Sequence, residues 1–239
     1  MAFMKRRSAK EESAFDLRNT PAYSLSEAAR YLKLPAPTLR SWVVGRPYPK
    51  AGGGVVRFQP LFAPASAPPP IMSFWNLIEA HVLRSLRTDH GVSLRDLRAA
   101  IAYAERELKV ERLLLSKQLS TDAGQIFLEH YGRLINLSAS GQLALRKVFD
   151  EHLRRVEWDE RQFPMRLYPF VSSTSDGDER SIAIDPNIAF GRPIVLRAGV
   201  STQTIVDRID ARESVEDLAT DYDLDPSEIE RAVLYERAA

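Results

Sequence analysis

Apolar positions recur along most of this chain at steps of three and four, the spacing that lines one face of an α-helix. Near the N-terminus, Leu25, Ala28, Ala29 and Leu32 form such a face. Ser24, with Glu27 three residues on, is a capping-box signal for its start. Pro35 ends it, since proline has no N–H to continue the ladder. A second helix opens near Pro37, where a first-turn proline is tolerated, and turns Leu39, Trp42 and Val43 inward. Next come Gly45-Arg46-Pro47-Tyr48, the run Ala51-Gly52-Gly53-Gly54 and Val55-Val56-Arg57-Phe58, which predict a hairpin.

Residues 73–109 read as two helices. Ser73 caps the first, with Phe74, Leu77, Ile78, His81, Val82 and Leu86 on its apolar side and Asp89-His90-Gly91 at its end. Ser93 and Asp96 open the second. There Leu94, Leu97, Ile101, Ala104 and Leu108 alternate steps of three and four over about two heptads. That seam suits either a dimer contact or packing against the preceding helix. Between 117 and 137 turn residues intervene. Ile126-Phe127-Leu128 after Asp122-Ala123-Gly124, and Leu134-Ile135-Asn136-Leu137 after Gly132, predict short antiparallel strands. A helix from Ser138 or Ser140 to near Val156 and a strand at Met165–Pro169 follow. Beyond Ser181, short strand and turn pieces precede three helices, at Thr202–Ala211, from Ser214, and after Asp225-Pro226. The second and third repeat the helix-turn-helix spacing. The fold class is mainly α with small β elements (α+β).

Two biased segments divide the chain. PLFAPASAPPP, ending at Pro70, suits a stiff polyproline connector better than a ligand for proline-binding domains. SSTSDGDER, 172–180, reads as a second linker. The expected units are a winged helix-turn-helix over 1–70, a central α/β segment over 71–175 and a C-terminal three-helix, helix-turn-helix-like domain over 176–239. Charge follows this division. Residues 1–70 hold 11 Lys/Arg against 4 Asp/Glu, while 176–239 hold 7 Arg against 15 Asp/Glu. Ends of opposite sign suggest different partners, a polyanion for the first.

The chain of 239 residues is 44% apolar and 27% charged, as in soluble globular proteins. It has no cysteine, which excludes disulfides and thiolate zinc sites and agrees with a cytoplasmic location. No apolar run approaches a membrane span, and the basic start MAFMKRRSAKEES lacks the apolar core of a secretory signal. It reads as a basic arm. His81, His90, His130 and His152 lack the spacing of a zinc-binding helix, and His81 reads as a packed core histidine. The glycine run has no following Lys-Ser/Thr, so it is not a phosphate loop. No nucleophile elbow or dinucleotide fingerprint is present. The carboxylates of 207–230 fall where amphipathic helices need solvated residues. The expectation is a protein with no catalytic residues, metal or cofactor.

Ser26-Glu27-Ala28-Ala29 and Thr38-Leu39-Arg40-Ser41-Trp42 resemble the winged helix-turn-helix of MerR-type and excisionase-type proteins. The resemblance implies operator DNA as a partner, with Thr38, Arg40 and Ser41 on the recognition helix and Arg46 and Arg57 flanking the wing. Here Pro35-Ala36-Pro37 replaces the usual Ser or Thr before that helix. The C-terminal segment, with Asp185-Pro186, Gly191-Arg192-Pro193, Ser201-Thr202, Asp217-Leu218-Ala219, Tyr222 and Ala232, resembles a widespread prokaryotic domain family found in antitoxins beside PIN-domain toxins. Together the two ends resemble a large VapB-class antitoxin. That resemblance implies a VapC-type PIN-domain ribonuclease toxin as partner. A homodimer is expected because one DNA-binding module of this size buries too little surface for tight specific binding, and two half-sites are the usual remedy. An acidic surface of Asp217, Asp221, Asp223, Glu228 and Glu230 would face the toxin's RNA groove. Arg192, Arg197 or Arg231 would reach its carboxylates. The toxin could instead dock on 73–175. The alternative from the front end alone is a MerR-like ligand-responsive transcriptional regulator.

Overall fold

The computed structural model describes residues 16–49, 52–86, 94–136, 138–170 and 180–238. Several sequence expectations lie outside them: the basic arm, the helix end at Asp89-His90-Gly91, the cap at Ser93, Leu137, and all but the last residue of SSTSDGDER.

A 3-10 turn (Leu17–Asn19) leads into β1 (Tyr23–Ser24), α1 (Leu25–Tyr31) and α2 (Ala36–Val43). The expected hairpin follows as β2 (Arg46–Pro49) and β3 (Val55–Phe58), in register from Arg46↔Phe58 to Pro49↔Val55. Strand β4 (Ile71–Met72) then returns to pair with β1, Tyr23 opposite Met72. The helix-turn-helix is therefore closed by residues beyond the proline-rich stretch.

The core is organised around α3 (Phe74–Ser85). Every residue from Phe74 to Leu83 is buried, so its polar members need partners inside the protein. Asn76 closes a capping box with Ser73 and donates to Glu79. Glu79 accepts from both ends of the Arg112 guanidinium, at 3.0 and 2.9 Å. Around α3 stand α4 (Leu94–Leu108), α5 (Asp122–Leu134) and α6 (Ala139–Arg154). Leu97, Ala100, Ile101 and Ala104 are buried within the chain, in the same core cluster as Phe127, Leu128 and Tyr131 of α5. Leu97 and Ile101 of the α4 seam thus pack internally, with Leu94 and Leu108 half-buried against the same core.

The strand expected at 126–128 and the start of the one expected at 134–137 are corrected by the structure to one helix, α5, which ends at Leu134. Phe127, Leu128 and Tyr131 are buried while Gln125, Ile126 and Glu129 are exposed, a helical face rather than an alternation. The two glycines that suggested turns lie inside helix α5 and serve close packing. A Cβ on Gly124 would stand 1.9 Å from the Leu119 carbonyl oxygen, and one on Gly132 would stand 3.0 Å from the Gln142 side chain.

After α6 comes a five-stranded antiparallel meander in chain order: β5 (Val156–Trp158), β6 (Pro164–Leu167), β7 (Ile182–Ile184), β8 (Pro193–Val195) and β9 (Val200–Ser201). Leu167 opposite Ile184 joins the two halves of this sheet. The three expected C-terminal helices are α7 (Thr202–Asp210), α8 (Val215–Tyr222) and α9 (Pro226–Arg237). Ile205, Leu218, Ile229 and Ala232 pack over Ile182 and Val195 of the sheet. The protein is mainly helical with small sheets.

Candidate functional site

Helix α1 starts as a capping box. The Ser24 hydroxyl accepts from the Glu27 N–H at 3.2 Å, and the Glu27 carboxylate accepts from the Ser24 N–H at 2.9 Å. Its C-terminus is held from the core, where Arg84 of α3 donates to the Leu32 carbonyl at 2.7 Å. Helix α2 has Pro35 at its N-cap and no side-chain cap bond, as the replaced Ser or Thr implied. Leu39, Trp42 and Val43 anchor α2 inward, each at most 2% exposed. Ala36, Pro37 and Arg40 are then exposed, with Thr38 and Ser41 half-buried. The Ser41 hydroxyl donates to the Thr38 carbonyl at 2.7 Å, which spends its hydrogen inside the helix. Arg46 is exposed on β2. Arg57 lies opposite Pro47 on β3, and its side chain lies outside the described set. The free face of α2 is small side chains with one guanidinium, beside a hairpin that carries another.

In the C-terminal unit the carboxylates have structural work. Asp185 is buried; it takes Arg166 on one oxygen at 2.9 and 3.1 Å and the Asn187 N–H on the other at 2.9 Å, locking the turn after β7. Asp217 is exposed and accepts from its helix cap, Ser214. Asp221 is exposed and pairs with Arg208 at 2.6 Å. Glu228 closes the capping box of α9 and pairs with Arg197 at 3.2 Å. Arg231 is half-buried and has a partner. Arg192 differs from the other two arginines. It is exposed, and no described carboxylate pairs with it, although Glu27 lies close enough for its charge to be felt. Arg197 and Glu228 therefore meet on one side of the unit, while Arg192 lines a cleft with Glu27, Arg30, Asp207 and Glu236.

That cleft marks a contact which periodicity could not reveal. The two ends of the chain pack on each other. The Tyr235 hydroxyl of α9 donates to the Tyr31 carbonyl of α1 at 2.8 Å, wholly buried. Arg30 donates to Gln203 at 2.8 Å and pairs with Glu236 at 3.4 Å. Lys33 stands 4.2 Å above the Tyr235 ring. Tyr23 reaches further, to Gly191, where a Cβ would lie 2.1 Å from its hydroxyl. Gly191 also has φ +74°, so both conformation and space require glycine there.

His81 and His152 form a buried pair, rings 4.9 Å apart. His81 Nε2 donates to the His152 carbonyl, and His152 Nδ1 donates to the Val148 carbonyl, each at 2.9 Å. Burial pushes His152 down to about 4 and His81 well below its ordinary value, with Arg84 and Arg155 adding repulsion. Both are neutral core residues. Among the described residues, no group of three or more His, Asp or Glu is arranged to hold a metal. No described helix is long and apolar enough to cross a membrane.

The geometry of α1, the turn, α2 and the hairpin defines a helix-turn-helix protein. Residues 21–101 match the family model described as "Putative DNA-binding HTH domain", and residues 182–235 match "Protein of unknown function (DUF433)". The chain is a homologue of the protein named "Putative antitoxin VapB45" of Mycobacterium tuberculosis, 25% identical, with 93% of this chain and 95% of that protein covered. The crystal structure of Rv2018 from Mycobacterium tuberculosis has the same fold, with a TM-score of 0.65, 19% identity, and coverage of 90% of this chain and 97% of that one.

Proposed function

We propose that this chain is the antitoxin of a type II toxin-antitoxin module. It binds operator DNA through α1, α2 and the hairpin, neutralises a VapC-type PIN-domain ribonuclease toxin through its C-terminal unit, and so regulates its own transcription, acting as a homodimer. The observation that carries the reading is similarity to "Putative antitoxin VapB45" along nearly the whole of both chains, joined to an exposed face on the second helix that carries Arg40. In this account Thr38, Arg40 and Ser41 face base edges while Arg46 and Arg57 hold phosphates. The acidic residues Asp217, Asp221 and Glu228, with Arg192, Arg197 and Arg231, make up the toxin-facing surface.

The test is a titration of the full-length chain against the promoter duplex of its own operon. Arg40→Ala weakens operator binding by about 1–3 kcal/mol if the guanidinium reads a base pair, and relaxes specificity there. Arg46→Ala weakens all sequences about equally, and each phosphate left without its cation flattens the log–log salt slope by about 0.9. Unchanged operator affinity in both variants would count against the assigned face. The full chain is the right sample, because a fragment ending at residue 64 lacks β4 and the core that holds α1. One feature favours the alternative, a ligand-responsive regulator. It is a cleft of about 810 Å³ lined by Trp75, Phe163, Arg18 and Arg112, a size that suits a small molecule. That reading requires promoter affinity to respond to a small molecule rather than to a toxin.

A further inference from the structure

The turn between β7 and β8 presents Phe190 to solvent. Its ring is 90% exposed, more than any other large apolar side chain among the described residues. The backbone there is costly as well. Ala189, Phe190 and Gly191 are three successive left-handed residues, at φ 47°, 57° and 74°, and only the last is a glycine. A bulky side chain is rarely found in that region, and such residues persist only where the surroundings over-determine them.

The surroundings do so here. Asp185 fixes Asn187, the Ile188 N–H donates to the Asp185 carbonyl at 3.0 Å, and the Gly191 N–H donates to the Ile188 carbonyl at 2.9 Å. Pro193 is paired into the sheet opposite Ile184, and the Tyr23 hydroxyl closes the space behind Gly191. An aromatic ring is thus held outward on a rigid base, although burial would favour it and a relaxed backbone would not place it there. Two residues on, Arg192 offers an exposed guanidinium with no described carboxylate paired to it.

We propose that Phe190 is the anchor by which this chain grips its toxin, its ring entering an apolar pocket while Arg192 binds an acidic group at the pocket's rim. The proposal rests on the antitoxin reading. Anchors of protein interfaces are aromatic and arginine residues held in position before binding, so that little entropy is lost on docking. The rim around Arg192 is of mixed charge, with Glu27, Asp207 and Glu236 beside Arg30, as at the edge of a protein interface. With three carboxylates against Arg30 and Arg192, the rim lacks the net positive charge that a row of phosphates requires, whereas a single acidic group can still pair with Arg192.

The experiment titrates the full-length chain with the purified product of the neighbouring open reading frame, which the antitoxin reading expects to be a VapC-type toxin. Phe190→Gly is the decisive variant, since glycine is at ease at φ 57° and the substitution removes the exposed side chain without straining the backbone. Its melting temperature is expected to equal or exceed that of the wild type, while the Kd for toxin rises about thirty-fold or more. Arg192→Ala weakens binding in the same assay, and Arg192→Lys retains part of it. Wild-type affinity in Phe190→Gly overturns the anchor while leaving the antitoxin reading intact. A wild-type chain that binds no toxin overturns both. Dissociation of a wild-type dimer by Phe190→Gly, with toxin affinity unchanged, assigns the turn to self-association and overturns the proposal.

Discussion

His152 shows how a single side chain can carry both the limits of sequence reading and a measurable consequence. It falls on the inward face of its helix by spacing, and His81 reads as a core histidine, so their burial was legible. Their contact was not, because 71 residues separate them and no periodicity links them. The folded protein holds both rings neutral between α3 and α6, with Arg84 and Arg155 the cations facing them. The unfolded chain protonates them near pH 6.5. A depressed folded value means that the stabilisation is complete above about pH 6.5 and is lost as pH falls toward about 4, at a slope approaching 1.4 kcal/mol per unit for each ring. Melting temperature followed from about pH 7 to about pH 5 should fall less steeply in His152→Asn than in the wild type. Equal slopes would show that the ring is not held neutral. Phe190 is the opposite case. Nothing in the pattern around a Gly-Arg-Pro turn announces that the residue before it is both left-handed and solvent-facing.

At the scale of elements, caps and periodic faces located nearly every helix, including α7, α8 and α9 and the two helices of the N-terminal motif. The failure lies in α5. Its glycines read as turns because an isolated glycine is equally the mark of a loop and of close packing, and only the neighbouring backbone distinguishes them. The structure separates the two glycines by what they meet. Gly124→Ala drives a Cβ into the Leu119 carbonyl, which is backbone and cannot yield, so about 1–3 kcal/mol of stability should be lost. Gly132→Ala meets only the flexible Gln142 side chain and gains helix propensity of up to about 1 kcal/mol. Thermal unfolding of the pair checks this. Equal losses in both would mean that the packing at Leu119 has been misjudged. The α4 seam has the same lesson in another form, since a three-four repeat does not say whether its partner is a second chain or helix α5.

For the whole molecule, charge and composition pointed to ends with different partners, and the two linkers divided the chain into three units. The structure brings them together. Helix α1 rests on α9 through Tyr31 and Tyr235, and one sheet joins residues 156–167 to residues 182–201. A hydrogen bond that spans 204 residues leaves no local signal, so this architecture could not be read from the chain. Deleting 176–239 would therefore strip strands from the sheet and expose α1, and single substitutions on the full chain are the cleaner probe. An antitoxin must neutralise its toxin in the cell. The decisive experiment expresses the neighbouring open reading frame in growing cells, alone and together with the full-length chain. Arrest is expected with the toxin alone, restored growth with both, and recovery of the two proteins as one complex. Continued arrest in the presence of well-expressed, folded chain would contradict the antitoxin reading.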